Sequence, residues 1–203
     1  MKLLHVDGSI LGEHSVSRAV SAAIVTHLKA GAPDLDVTHR DLAATPIPHL
    51  SGAYLAGHQP NATNTPDIQN DVELGRTVLA EFLAADIVVI GAPLYNFTIS
   101  SQLKAWIDRI LVAGQTFKYT ESGAVGLVPQ KRVIVAVARG GLYGAGTPNA
   151  AAEHAETYLR VVLGFIGITN PEIIVAEGIA LGPDARQQAL DAALKAASNL
   201  PAA

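Results

Sequence analysis

Three short runs constrain this chain more than anything else in it. Leu3-Leu4-His5-Val6, Ile87-Val88-Val89-Ile90 and Val133-Ile134-Val135-Ala136-Val137 are apolar with almost no alternation. A strand with one wet face alternates apolar and polar residues, so an unbroken run marks a strand covered on both faces. Weaker runs at 35–39 and 172–175 bring the expected number of strands to five. Between them lie stretches with helical period. Leu103, Trp106, Ile107, Ile110 and Leu111 follow the i, i+3, i+4, i+7, i+8 rule, with Lys104, Asp108 and Arg109 expected on the outer face. Ala155, Tyr158, Leu159, Val162, Phe165 and Ile166 repeat the pattern. Val20, Ile24 and Leu28 mark a first helix, Val72, Leu79, Phe82 and Leu83 a second, and Leu190, Ala193, Leu194 and Ala197 the last.

Parallel strands need crossover connections, so this alternation predicts an α/β fold: a doubly wound, flavodoxin-like five-stranded parallel sheet with helices on both faces. An eight-fold barrel needs about 250 residues; the 203 residues here fit one domain over 1–203. The irregular span is 44–66, with four prolines and two glycines, expected to run over the surface and to face a partner.

Composition narrows the function. Charged residues make up 16% and the net charge is −4 with no block of like charge, which argues against nucleic acid or an anionic membrane as partner. No apolar run approaches the ~20 residues that span a bilayer, and the amino terminus breaks its apolar run too early for a signal peptide; the expectation is a cytoplasmic protein. Cysteine is absent, which removes catalytic thiols and metal–thiolate sites. The seven histidines are scattered without metal-binding spacing, so no metal is expected, and His5 reads as a hydrogen-bonded core residue.

Open parallel sheets bind ligands beyond the carboxyl ends of their strands. That rule selects 7–17, 91–100 and 138–147. In the first segment, Ser9, Ser15 and Ser17 surround a helix amino terminus, a setting that suits a phosphate monoester. Helix capping alone accounts for one serine, not for three. Neither G-x-G-x-x-G nor the G-x-x-x-x-G-K-[ST] loop is present. In the second, Tyr95 and Phe97 flank Asn96, flat apolar surfaces beside an amide, which is what a planar heterocycle needs. In the third, Gly140 and Gly141 allow close backbone approach, beside Arg139 as the one strong positive charge of that loop.

Together these segments resemble the FMN-dependent NADH:quinone oxidoreductase and azoreductase family of flavodoxin-like proteins. The likeness is carried by Ser9 and Ser15-Val16-Ser17, by Pro93-Leu94-Tyr95-Asn96-Phe97, and by Gln102-Leu103-Lys104 through Trp106-Ile107-Asp108-Arg109. It continues through Ala113-Gly114-Gln115-Thr116-Phe117-Lys118-Tyr119-Thr120, Gly123, Gly126-Leu127 and Arg139-Gly140-Gly141. The resemblance implies FMN contacts at Ser9, Ser15, Val16, Ser17, Leu94, Tyr95, Asn96, Phe97, Ala138, Arg139, Gly140 and Gly141. Leu94 stands where Met is frequent in the family, and Val16 where a polar residue is frequent. It further implies a homodimer and a ping-pong reaction, in which hydride passes from NADH or NADPH through flavin N5 to quinones and azo compounds. No side-chain nucleophile is required; Asn96, Gly140 and Gly141 are expected to steady the charged flavin, and Tyr119 to close over it. The alternative from another class is a flavodoxin-type electron carrier, a flavin-binding module without turnover of its own. Such carriers are shorter and strongly acidic.

Overall fold

The computed structural model describes residues 1–203. Its strands are β1 (Lys2–Asp7), β2 (Asp36–Asp41), β3 (Ile87–Pro93), β4 (Phe117–Thr120), β5 (Gly123–Gly126), β6 (Arg132–Arg139) and β7 (Glu172–Glu177). The helices are α1 (Val16–Gly31), α2 (Gly52–Gly57), α3 (Pro66–Ala84), α4 (Ser101–Ile110), α5 (Ala155–Phe165) and α6 (Pro183–Ser198). Five strands form a parallel sheet in the order β2-β1-β3-β6-β7, the doubly wound arrangement expected from the three apolar runs. Alternate residues feed two cores. Leu4, Val6, Val88, Ile90, Val133, Val135 and Val137 pack under α3, α4 and α5. Leu3, Ile87, Val89, Ile134 and Ala136 pack under α1 and α6. A strand that must be apolar on both faces cannot alternate, which is why the sequence runs do not.

The structure departs from the sequence expectations in four places. The short antiparallel hairpin β4–β5 was not anticipated, and Tyr119, expected in a loop, lies on β4 with its ring exposed. On α3, Val72 and Phe82 are buried as expected, but Val78 takes the buried place between them and Leu79 and Leu83 are only partly covered. Span 44–66 contains the helical turn α2, and its Tyr54 is buried against α3. A Cβ at Gly75 would overlap the Tyr54 ring, so α3 is glycine where α2 lands.

The fourth departure is Arg109. Expected on the outer face of α4, it is fully buried. Its Nη2 donates to Asp71 Oδ1 at 2.9 Å and to the Pro48 carbonyl at 2.8 Å, and its guanidinium carbon lies 3.6 Å from the centre of the Tyr54 ring. A charge with these three partners pins 44–66 onto α3 and α4; removing the carboxylate leaves it buried and uncompensated. Asp71→Ala should lower unfolding stability by about 3–5 kcal/mol, read as a shift in denaturant midpoint; a midpoint equal to wild type would show that the pair does not hold this span.

Candidate functional site

The carboxyl ends of β1, β3 and β6 meet at one edge, where the strand order reverses beside β1. The ladder extends past the strands: Gly8 N–H donates to the Gly91 carbonyl at 2.9 Å and Leu94 N–H to the Ala138 carbonyl at 2.8 Å. The three segments selected from sequence therefore start from one line.

After β1 the chain makes a single 3-10 turn and enters α1 at Ser15, whose side chain caps the helix by accepting from Arg18 N–H. Ser9, Ser15 and Ser17 are all buried. The Ser15 and Ser17 hydroxyls are 3.1 Å apart, and the Ser9 hydroxyl is 2.9 Å from that of Tyr95. Val16 and Ser17 N–H, in the first turn of α1, have no partner in the chain. Such groups, with the helix dipole behind them, attract an anion. Arg18 braces the loop. It donates through Nε and Nη2 to the Ser9 carbonyl at 3.1 and 2.7 Å, and forks onto Asp41 at 2.7 and 2.6 Å.

After β3, Tyr95 and Thr98 exchange backbone hydrogen bonds across Asn96 and Phe97, whose φ values are +48° and +73°. This hairpin-type turn lifts Phe97 into the open, 53% exposed, with the ring of Tyr143 edge-on at 6.4 Å. After β6, Arg139 turns away from the edge. Its guanidinium is buried, donates to Glu156 Oε2 at 2.5 Å and has Glu177 Oε2 at 3.6 Å. The cation expected to serve a ligand in this loop is thus held by the chain's own carboxylates. Gly140 and Gly141 N–H have no partner in the chain, while their carbonyls are fixed by Ala180 N–H at 2.9 Å and Gly178 N–H at 3.0 Å.

A cavity of ≈ 260 Å³ lies between these segments. Its walls include Ser9, Ser15, Val16, Leu94, Tyr95, Ala138 and Gly140, seven of the twelve positions selected from sequence. Ile179, Ala180 and Arg186, from the segment after β7 and from α6, also line it. Sequence reasoning missed these three, because the segment after an edge strand carries no motif and is tied to the site by bonds that no pattern shows, from Ile179 and Ala180 N–H to the Arg139 and Gly140 carbonyls and from Arg186 to the His14 carbonyl. Ser17, Asn96, Phe97, Arg139 and Gly141 are not among the walls of this cavity, and Asn96 lines a second one instead. A larger cavity of ≈ 530 Å³ lies on the other side of Tyr95, toward the start of α4. The smaller one is bordered by the buried Ser9 and Ser15 and by Val16 and Gly140 with their free N–H groups, which makes it the candidate site.

Beneath the serine loop the structure gathers residues the sequence left scattered. His39 Nε2 is 3.0 Å and His5 Nε2 3.4 Å from Asp7 Oδ2, the Ser21 hydroxyl donates to Asp7 Oδ1 at 2.8 Å, and the two imidazoles stack at 4.5 Å. His5 is a hydrogen-bonded core residue, as expected. These side chains satisfy one another, and Arg18 lies 3.9 Å from Asp7. Burial pushes the Asp7 carboxyl up, but the His5 hydrogen bond and charge, with His39 and Ser21, outweigh it and hold it below the usual carboxylate range. The Arg18 fork first, helped by Ala44 and Ala43 N–H, holds Asp41 far below that range. A carboxyl depressed in the folded state stabilises above its unfolded value of about 3.9 and loses that contribution as pH falls below it. Acid scans of Tm should therefore drop below about pH 4, with Asp41→Asn showing a lower Tm at neutral pH and a flatter acid limb. Parallel curves would remove the Arg18–Asp41 fork from the stability of this loop.

Comparison with known proteins agrees with this geometry. A family model described as flavodoxin-like fold matches residues 1–200. An FMN-dependent NADH:quinone oxidoreductase of Methylorubrum extorquens (strain PA1) is 77% identical over 203 residues, covering all of both chains. An azoreductase from Bacillus anthracis str. Sterne superposes with a TM-score of 0.86 at 34% identity, over 98% of this chain and 97% of its own. An FMN-dependent NADH-azoreductase from Bacillus anthracis str. Ames Ancestor, solved in complex with FMN, gives 0.86 at 29% identity over 97% of each chain.

Proposed function

The chain belongs to the FMN-dependent NADH:quinone oxidoreductase and azoreductase family of flavodoxin-like proteins, and from that premise we propose that it is an FMN-dependent oxidoreductase drawing on NADH and reducing quinones and azo compounds. The observation that carries the reading is the cavity at the sheet edge, which brings together the buried serines Ser9 and Ser15, the free N–H of Val16 and the free N–H of Gly140. Those donors fit FMN: an anion at the serines, a planar ring reaching toward Gly140.

When bound, FMN would supply the redox chemistry, passing hydride equivalents between NADH and the acceptor in a ping-pong cycle. The chain supplies the rest. Ser9, Ser15 and Ser17, with Val16 and Ser17 N–H, hold the phosphate; Val16 contributes through its backbone, so its apolar side chain does not matter there. Leu94, Tyr95 and Ala138 border the middle of the ligand. Asn96 and Phe97 would present an amide and an aromatic face to the ring, and Gly140 and Gly141 N–H would supply hydrogen-bond donors to stabilise its negative charge. Arg139 takes part through its main chain, its guanidinium being held by glutamates. The family likeness covers the chain end to end, which supports one domain over 1–203. Exposed apolar side chains (Ile10, Leu11, Phe97, Leu142) support a homodimer, with Tyr119, also exposed, closing over a flavin, and the enzyme works in the cytoplasm in this reading; no helix is long and apolar enough to cross a membrane.

Two experiments test this. The purified protein should be yellow, and NADH added anaerobically should bleach it without any partner protein. Yellow protein that stays oxidised would instead make it a carrier without turnover. Replacing Ser15 and Ser17 together by Ala should weaken FMN binding by about tenfold or more, since a hydrogen bond to a charged group contributes about 1.5–3 kcal/mol. The lost helix cap lowers stability separately, by about 0.5–2 kcal/mol, so affinity is read from a direct flavin titration; an unchanged affinity would take the serine loop out of the site.

A further inference from the structure

Seven of the eight arginines have an aspartate or glutamate oxygen within 4.0 Å; Arg186 does not. It stands one turn into α6, half-buried at the wall of the proposed flavin cavity, and its Nη2 donates to the carbonyl of His14 at 2.6 Å. That carbonyl belongs to the residue just before the Ser15 cap. One of five guanidinium N–H groups is thereby engaged by a neutral acceptor, and the rest have no partner in the chain. No carboxylate lines the cavity, and Arg186 is its one permanent cation. The other two arginines near this edge are not free: Arg18 is forked on Asp41, and Arg139 is enclosed by Glu156 and Glu177.

A phosphate monoester carries close to two negative charges at neutral pH. Serine hydroxyls and backbone N–H groups satisfy its oxygens but leave most of that charge uncompensated, because a helix terminus supplies only about half a unit. An arginine whose position is fixed by one hydrogen bond, with its fork otherwise free, is suited to meet such an oxyanion. We propose that Arg186 is the counter-charge for the flavin phosphate and sets the preference for FMN over the unphosphorylated flavin, riboflavin. The assignment rests on the flavin reading above. It also gives α6 a function in binding, since this helix brings no other charge to the cavity and its approach to His14 ties the carboxyl-terminal helix to the loop that starts α1.

The test is a titration of the flavin-free full-length chain with FMN and with riboflavin, followed by quenching of flavin fluorescence, for wild type, R186Q and R186K. R186Q should weaken FMN about tenfold or more and riboflavin by less than about twofold, while R186K, which keeps the charge and loses the fork, should fall between wild type and R186Q for FMN. On wild type alone, raising NaCl from about 50 to about 500 mM should weaken FMN and leave riboflavin unchanged, because only the charged contact is screened. This arm needs no variant to fold. Equal weakening of both flavins in R186Q would reduce Arg186 to a brace for the His14 loop, and an unchanged FMN affinity, or FMN binding in wild type that ignores salt, would overturn the assignment. A wild-type chain that takes up neither flavin would overturn the flavin reading itself, a result distinct from either of these.

Discussion

The register of three central strands decides what the rim of this molecule can do. Asp7 pairs with Gly91, and Pro93 with Ala138, so β1 ends two residues short of β3, and β3 and β6 end within one residue of each other. Each ladder then continues by a hydrogen bond into a loop: Gly8 to Gly91, and Leu94 to Ala138. Gly91 shows how tight that line is. A Cβ there would press on the Asp7 carboxylate and the Ser21 hydroxyl, so a side chain at this position would force β1 and α1 apart. With glycine present, the buried serines, the Tyr95–Thr98 turn and the free glycine N–H groups stand within one ligand's length of each other. None of the three loops needs to be long, because the sheet has already done the positioning.

Charge is arranged on the same principle. A carboxylate under an anion-binding loop is an electrostatic liability, yet Asp7 sits there, buried. Its environment absorbs the charge locally through His5, His39, Ser21 and the nearby Arg18. Arg18 is itself balanced by Asp41, and its donation to the Ser9 carbonyl turns that ion pair into a brace for the serine loop. The protein's acids and bases thus cancel below the site, leaving neutral donors at its surface and the unpaired Arg186 at its wall.

Much of this was legible in the sequence, for reasons that can be named. Val88, Val89 and Val135 show their burial on both sides because a two-faced strand has no polar position to offer. The serines and the Tyr95-Asn96-Phe97 segment could be placed because strand ends in a parallel sheet fall where the apolar runs stop. What stayed hidden depended on partners distant in the chain. Arg109 obeys the polar phase of α4 and is nonetheless buried, since Asp71, Pro48 and Tyr54 arrive from a span without periodicity. Arg139 looks like a ligand cation until Glu156 and Glu177 close on it. Arg186 meets His14 across nearly the whole length of the chain. The hairpin β4–β5 is four residues on each side and mostly exposed, too short and too wet for an alternation pattern to register.

The turn after β3 joins these strands of argument. Positive φ at both central residues suits asparagine or glycine, and Asn96 fits. Phe97 does not: a bulky side chain in the left-handed region costs about 1–2 kcal/mol. The conformation persists because its surroundings over-determine it, through the paired bonds between Tyr95 and Thr98 and a third from His154 N–H to the Phe97 carbonyl. Glycine at 97 would relieve the backbone and delete the ring. The strained arrangement instead holds a flat apolar surface rigidly in the open, where burial within the chain offers it little return. An aromatic residue kept unfavourably in its backbone and unfavourably in water makes physical sense when a second surface covers it.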